Sequence, residues 1–264
     1  MKNLIKKLIV RLGCSARNAE TFRQLWCDLD AINRLIQVNI STAFLHQQTF
    51  PRFKGIYAGR DIVVVATGPS LKDYKPIVGC VNIGVNHAFL NENLVFDYMF
   101  AQDYHAVKEI IPRLNAYKRG ECVKFYGLTM EYSGEQEINR VIPESDAMVA
   151  GALRYRTDWA PIDGFKPNFY FDISSMPVAC CGSVVFPAMQ FALWTHPKRI
   201  YIVGCDCSRN GHFVECNSGA SNGCENLVSA WCSLKRFASR YYPDTEIISV
   251  NPVGLRGVFR DVDQ

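Results

Sequence analysis

The chain changes its hydrophobic pattern near residue 61, from apolar residues at helical spacing to short apolar runs separated by turns. Residues 16–45 carry apolar side chains three and four positions apart, which predicts one long helix with an apolar stripe along one side. The stripe consists of Phe22, Leu25, Trp26, Leu29, Ile32, Leu35 and Ile36. Such a stripe fits either a face packed on the core or a seam against a partner.

Residues 1–13 show a second amphipathic pattern, with aliphatic side chains on one arc of a helical wheel and basic side chains on the other. The aliphatic residues are Leu4, Ile5, Leu8, Ile9 and Leu12, and the basic residues are Lys2, Lys6, Lys7 and Arg11. A short basic amphipathic helix is typical of a segment that lies on an anionic membrane surface. A helix docked on the rest of the protein, with its lysines in solvent, has the same pattern, so both interpretations stay open.

Beyond residue 61, predicted strands alternate with predicted helices. The strands are expected at residues 61–66, 81–85, 96–101, 123–126, 199–203 and 246–250, and the helices at 106–117, 182–194 and 227–241. A region of about 127–180, rich in Pro, Gly and charge, is expected to be an irregular insertion or lid. We therefore predict an α/β fold with a doubly wound, mainly parallel Rossmann-like sheet. It forms one domain over residues 51–264, and residues 1–50 form an N-terminal helical region.

The composition narrows the class of protein. With 264 residues, 48% of them hydrophobic and 20% charged, the chain is long and apolar enough for one sizeable globular domain or two small ones. The net charge of +4 is concentrated in residues 1–13, and the rest of the chain carries equal numbers of acidic and basic residues, so charge does not indicate nucleic-acid binding. The N-terminal apolar stretch is short and interrupted by basic residues, which predicts a cytoplasmic protein without an export signal.

The eleven cysteines are an odd number and accompany no export signal, which favours reduced, buried thiols over disulfides. One group of them can be interpreted as a zinc cluster, together with a nearby histidine: Cys205, Cys207, Cys216, Cys224 and His212. Their spacing matches neither a zinc ribbon nor a zinc finger, and two of them adjoin a predicted buried strand. We therefore predict no metal site at these residues.

The strongest local signal lies where the first predicted strand ends, in the string Val63-Val64-Val65-Ala66-Thr67-Gly68-Pro69-Ser70-Leu71. Gly68 permits a sharp turn and the close approach of a ligand, and Pro69 fixes the exit angle. Ser70 can cap a helix while its hydroxyl and the free amides bind a phosphate. The string is neither a dinucleotide fingerprint nor a Walker loop. A tight strand-to-helix turn without a ligand fits it equally well.

Polar residues also follow other predicted strands, at Asn86, Asp103 and Asp206, and Gly182 and Ser183 open a long apolar helix. Any one of them can be an ordinary helix cap. Because open α/β sheets bind ligands at the carboxyl ends of their strands, we expect these residues to converge on one site. The helix start adds a second natural position for a phosphate or carboxylate group.

These elements, taken in order, resemble the bacterial sialyltransferases of glycosyltransferase family 42. The shared segments are Gly68-Pro69-Ser70-Leu71, the turn at Asn86, Gly182-Ser183, Lys198-Arg199-Ile200-Tyr201-Ile202-Val203-Gly204-Cys205-Asp206, and Val250-Asn251-Pro252. They also occur in a related group that includes the motility accessory factors, which glycosylate flagellin, and an archaeal pterin pyrophosphokinase. The resemblance covers about residues 60–255 and is specific as a set of motifs, not through any single one.

The resemblance implies transfer of a sugar from a CMP-linked nonulosonic acid, or a similar nucleotide sugar, to a glycan hydroxyl with inversion. It further implies that Gly68, Pro69 and Ser70 contact the phosphate and ribose and that Asn86 holds the nucleotide. Asp103 stands where the sialyltransferases have a polar donor-binding residue. Gly182 and Ser183 are expected to meet the carboxylate or phosphate of the donor.

The general base is where the chain departs from the family. The sialyltransferases use a histidine shortly before the last long helix, and a rough alignment places Glu225 there. The nearest histidine is His212, in the preceding loop. Imidazole titrates near neutral pH without special burial, which favours His212 as the base, while the alignment favours Glu225. A solvated loop histidine without a catalytic role fits His212 as well.

From these observations we expect a membrane-peripheral glycosyltransferase of bacterial surface-glycan synthesis, such as lipopolysaccharide or capsule, with a glycan or lipid-linked glycan acceptor. It needs no cofactor in this interpretation. A Mg²⁺-dependent diphosphotransferase, with the ion held by Asp103 and Asp206, is one alternative. A non-catalytic nucleotide-binding partner of a membrane enzyme is another. A homo-oligomer is compatible with all three.

Overall fold

A computed structural model describes residues 16–102, 107–128, 130–133, 136–139, 152–158, 167–214 and 224–264. The chain divides into two compact units, residues 1–42 and 43–264. The division falls inside the first described helix, a few residues before the boundary expected at residue 50. The amphipathic segment 1–13, expected at a membrane surface, lies outside the described residues.

Helix α1 spans Ala16–Thr49, as the apolar stripe predicts. In the first unit, four members of the stripe are exposed, with Leu25 at 51% and Leu29 at 58% of full exposure and Ile32 and Ile36 at similar values. Trp26 is half-buried. The first unit therefore does not bury the four exposed residues in a core of its own, and a seam against a partner stays a prediction. Within the described part of the chain, no helix combines the length and apolar character needed to cross a membrane.

The second unit is built on a nine-stranded sheet in which every pair of neighbouring strands is parallel. Its strands are β1 Asp61–Val65, β2 Val81–Val85, β3 Tyr98–Ala101, β4 Val123–Leu128, β7 Leu153–Asp158, β8 Val178–Ala179, β9 Arg199–Val203, β10 Glu246–Val250 and β11 Arg260–Val262. Their order is β11-β10-β9-β1-β2-β3-β4-β7-β8. A separate antiparallel hairpin is formed by β5 Met130–Ser133 and β6 Gln136–Asn139.

Both faces of the sheet are covered, because β1 and its neighbours are apolar on both sides. Ile62 and Val64 point into one core, and Val63 and Val65 point into the other. Helix α3, Val185–Trp194, is wholly buried on the first face, where α4, Cys224–Tyr241, also packs. Helix α2, Ile111–Ala116, and two short 3-10 helices lie on the second face. The prediction of a doubly wound α/β fold is confirmed.

The winding reverses between β1 and β9. From β1 the chain runs outward through β2, β3, β4 and β7 to β8, returns through α3, and adds β9 on the other side of β1. The ends of β1 and β9 therefore form the topological switch point, where open α/β sheets bind ligands. We call the edge at which these parallel strands end the carboxyl edge.

The expected irregular region 127–180 contains regular structure that the sequence pattern did not reveal. Strand β7 alternates buried Tyr155 and Thr157 with the arginines Arg154 and Arg156. Charged residues in that alternation resemble a surface segment, yet β7 pairs in parallel with β4. The two-residue β8 and the three-residue β11 are too short to give a pattern of their own.

His46 fastens the end of α1 to the sheet domain. Its ring is fully buried, with Nδ1 2.8 Å from the carbonyl oxygen of Ile173 and 2.9 Å from that of Met176. The backbone N–H of Arg156 donates to Nε2 at 2.8 Å. The ring is therefore neutral with its proton on Nδ1. Burial, opposed by the two carbonyl contacts, lowers the pKa of His46 to about 4.

Acidification should cost the protein stability through His46. Between about pH 6.5 and pH 4 the unfolded chain binds a proton at this residue and the folded chain does not, so the free energy of unfolding falls as the pH falls. The full effect is about 3 kcal/mol. We expect urea denaturation at pH 7, 6, 5 and 4.5 to show that His46→Gln is less stable than the wild type at pH 7, by a margin that narrows toward pH 4.5. A margin that stays constant over this range would contradict the neutral, buried ring.

Candidate functional site

Consecutive residues after β1 contact the segment that follows β9. The backbone N–H of Gly68 donates to the carbonyl oxygen of Gly204 at 2.7 Å, which extends the strand pairing past both strand ends. A Cβ atom on Gly68 would lie 2.6 Å from the Asp206 carboxyl carbon and 2.6 Å from the Gly204 oxygen. Gly68 has an extended backbone, so close packing against β9 explains the glycine and a sharp turn does not. The approach of a ligand at Gly68 stays a prediction.

Ser70 and Asp206, both expected in the site, are bonded to each other. The Ser70 backbone N–H donates to Asp206 Oδ2 at 2.9 Å, and its hydroxyl donates to Oδ1. Asp206 is buried. The expected donation of both Ser70 groups to a phosphate is therefore corrected. The helix cap expected at Ser70 is wrong too, since the 3-10 helix Pro69–Asp73 starts after Gly68 and has no side-chain cap among the described residues.

His212 lies at the same junction. Its Nδ1 is 2.7 Å from the hydroxyl oxygen of Thr67, and the backbone N–H of the next residue, Phe213, donates to the Thr67 carbonyl oxygen at 2.8 Å. These two contacts hold the loop against the end of β1, unlike a loop histidine free in solvent. His212 is partly buried, and no described residue bonds its Nε2.

A second histidine, His87, follows β2 and is buried. Burial lowers the pKa of His87, and positive charge on His212 lowers it further, so the two rings are electrostatic neighbours. Neither Thr67 nor His87 was among the predicted site residues. Position near a strand end was the available signal, since each lies two residues after its strand, Thr67 after β1 and His87 after β2.

Asn86 is oriented by the end of the next strand. Its Oδ1 accepts the backbone N–H of Gln102 at 3.3 Å, while the side chain of Gln102 contacts Cys180 and Tyr155. The carbonyl side of the Asn86 amide is thereby used within the protein. Its two N–H donors have no partner among the described residues and are available to an anionic ligand at the carboxyl edge.

The segment before α3 is linked to Asn86 and Gln102 by the hydrogen bond between Gln102 and Cys180. Cys181 and Gly182 both have a left-handed backbone, with φ of 48° and 72°, and the Ser183 N–H donates back to the Cys180 carbonyl oxygen at 2.9 Å. Helix α3 then begins at Val185, and no described side chain caps it. Gly182 is exposed, but Val184 and Val185 are buried. The Phe186 N–H donates to the Ser183 carbonyl oxygen and Pro187 has no N–H, so the helix start itself offers few N–H groups to an anion.

Left-handed backbone is concentrated where strands end. Besides Cys181, three non-glycine residues adopt it at the carboxyl edge: Asn86 after β2, Cys207 after β9 and Asn251 after β10. Each such residue costs about 1 kcal/mol or more, and strain of this kind gathers at functional sites. The distribution supports the carboxyl edge as the site.

Asp103 and Glu225 were also expected in the site. Asp103 lies outside the described residues. Glu225 is exposed in the first turn of α4, and the structure gives it no contact with the residues above. No three His, Cys, Asp or Glu side chains among the described residues are grouped to hold a metal ion. Cys216 and the side chain of Cys224 lie outside the described part of the structure. Burial raises the pKa of Cys205, which keeps its thiol protonated.

A cavity of about 10 Å³ lies behind Asp206, between the ends of β9 and β10. Among its lining residues is Ser249, whose buried hydroxyl has no hydrogen-bond partner in the described part of the chain. The volume is that of about one water molecule, which would satisfy this hydroxyl.

Comparison with family models, with curated proteins and with solved structures finds no match to this chain.

Adding a single methyl group at Gly68 should strongly destabilise the protein. In Gly68→Ala the new Cβ meets a backbone oxygen and a carboxylate that is already hydrogen-bonded, and neither can withdraw easily. We expect a loss of about 3 kcal/mol in the free energy of unfolding, measured by urea denaturation.

Gly55→Ala is the matched control. Gly55 has φ of +69°, and a Cβ atom added there would have no described atom within 4 Å, so this variant reports backbone strain without crowding. Its expected cost is about 1 kcal/mol. Equal losses in the two variants would show that packing against β9 is not what requires Gly68.

Proposed function

We propose that this protein is a glycosyltransferase that takes its sugar from a nucleotide donor, with a CMP-linked sugar acid as the donor. One observation carries the proposal: His212 is held at the switch point of a doubly wound sheet, and Asn86 follows the neighbouring strand β2 at the same edge. The free N–H groups of Asn86 suit the phosphate or carboxylate of such a donor. The motif resemblance supplies the reaction class.

His212 is the better candidate for the general base. It is fixed at the carboxyl edge by Thr67, whereas Glu225 is exposed on α4. In the proposed step the base takes the proton of the acceptor hydroxyl as its oxygen bonds to the anomeric carbon. The bond from that carbon to the phosphate oxygen breaks, and CMP leaves with the electron pair.

The diphosphotransferase alternative requires oxygen ligands for Mg²⁺. Asp206 already accepts two hydrogen bonds from Ser70, and Asp103, its expected companion, lies outside the described residues. This arrangement favours a donor with a single phosphate, for which no metal is required.

The role of a non-catalytic partner predicts nucleotide binding without turnover. Membrane association through residues 1–13 and a glycan or lipid-linked acceptor belong to the same proposal.

Nucleotide binding should raise the melting temperature selectively. Because a ligand that binds the folded state stabilises it, CMP at about 100 times its dissociation constant should raise the melting temperature by roughly 5 °C or more. We expect CMP to exceed UDP, GDP and ATP in thermal shift, with and without Mg²⁺. A shift by ATP that needs Mg²⁺ would instead favour the diphosphotransferase.

Asn86→Gly should weaken CMP binding roughly 10- to 100-fold, as expected when a hydrogen bond to a charged group is lost. Glycine tolerates the left-handed backbone at this position, so the variant removes the amide without adding strain. Asn251→Gly is the matched control, since Asn251 has the same backbone conformation but its amide oxygen accepts the Gln264 N–H. Equal affinities of both variants and the wild type, measured by titration calorimetry, would remove Asn86 from the site.

Removal of the base should abolish turnover and spare donor binding. We expect His212→Ala to lower the rate of CMP release from a CMP-linked sugar acid, with glycan acceptors present, roughly 100- to 10,000-fold. Glu225→Gln should stay close to wild type, because its side chain is exposed in the first turn of α4. The reverse result would identify Glu225 as the base. If both variants keep full activity the base lies elsewhere, with Asp103, Asp206 and His105 as the next residues to replace.

A further inference from the structure

Thr67, just after β1, contacts the loop that carries His212. Its hydroxyl oxygen lies 2.7 Å from His212 Nδ1, and its carbonyl oxygen accepts the Phe213 N–H at 2.8 Å. One residue therefore fixes both the ring of His212 and the backbone directly after it. The rotation about the side-chain bonds of His212 is restricted before any ligand binds.

The contact also decides which ring nitrogen a ligand can use. A neutral imidazole carries its proton on one nitrogen, and the hydrogen bond of the other determines which one. With Nδ1 on Thr67, Nε2 is left for a ligand. If Nδ1 holds the proton, Nε2 has a lone pair and can accept a proton. If the threonine hydroxyl donates to Nδ1, Nε2 carries the proton and can only donate.

We propose that Thr67 is a positioning residue for His212, which accepts a hydrogen bond from Nδ1–H and so keeps the Nε2 lone pair for the acceptor hydroxyl. The proposal rests on the proposed transferase function, because it names what makes His212 competent as its base. When Nε2 takes the acceptor proton, the ring becomes an imidazolium. Its Nδ1–H stays on the Thr67 oxygen, and no hydrogen bond has to reverse.

The neighbouring histidine is consistent with this proton movement. Buried His87 is the titratable group that the structure couples to His212, and burial keeps His87 neutral. The imidazolium formed at His212 therefore does not meet a second positive ring. A charged His87 at that position would oppose the proton transfer.

The tautomer can be read directly from two-bond ¹H–¹⁵N correlation spectra of the full chain labelled at histidine. At a pH where the ring is neutral, we expect His212 to carry its proton on Nδ1 in the wild type and in Thr67→Ser, which keeps the hydroxyl. Thr67→Val should move the proton to Nε2, the preferred site of an unconstrained ring. The ring is assigned by its absence in His212→Gln. A wild-type proton on Nε2 overturns the proposal.

Kinetics provide the second test. Thr67→Val keeps the shape and β-branch of the side chain, and we expect it to lower kcat roughly 100-fold, as a misplaced catalytic group does. The KM for the donor and the affinity for CMP should stay within about threefold, and Thr67→Ser should recover most of the rate. Melting temperatures of both variants check that they are folded.

The two proposals fail in different ways. Wild-type kcat in folded Thr67→Val would overturn the positioning role and leave the transferase function intact. If no nucleotide shifts the melting temperature, the transferase proposal falls. The spectra then still decide whether Thr67 sets the His212 tautomer.

Discussion

The contact between the ends of β1 and β9 is the constraint on which the site depends. A buried carboxylate, Asp206, is held by the N–H and hydroxyl of Ser70, and the backbones of Gly68 and Gly204 are bonded beside it. An ionised carboxylate is costly to bury unless its hydrogen bonds are made, so the two segments stabilise each other only when they are in this register. The absence of a side chain at Gly68 lets them approach this closely.

Contacts to the His212 loop and to the end of β9 are therefore combined in four consecutive residues, 67–70. Thr67 contacts the loop of His212, Gly68 contacts the end of β9, and Ser70 binds Asp206. The same turn that joins the two halves of the sheet also holds the candidate base. Damage to the carboxylate contact should therefore disturb the histidine as well, since both depend on one short stretch of backbone.

The far side of the site is assembled by a different contact. Gln102, buried directly after β3, links Asn86, which follows β2, to Cys180 before α3. Its backbone N–H donates to the Asn86 side chain, and its side-chain amide donates to Cys180 Sγ. The free donors of Asn86 and the segment before α3 are therefore held on one framework, which is the preorganisation that binding an anion requires.

Much of the fold follows from local pattern. Residues 62–65 are a continuous β-branched run, which is typical of a strand buried on both faces, and 81–85 place Val81, Ile83 and Val85 at alternate positions. Both strands were predicted with nearly correct bounds. Strand β7 was missed because its two arginines hide the alternation. Gly68 and Ser70 were predicted to matter because they contact a ligand. In the structure they contact the segment that follows β9.

The sequence by itself determined the fold class, the edge at which polar residues gather and the candidate residues Asn86, Asp206 and His212. Only the tertiary structure decided that Ser70 donates its hydrogen bonds to Asp206 and that Thr67 contacts His212. The residues of the first pair are 136 positions apart in the sequence, and those of the second pair 145. Local periodicity records which side of an element is buried. It does not indicate which distant side chain accepts or donates a given hydrogen bond, because those partners come together only when β9 packs beside β1.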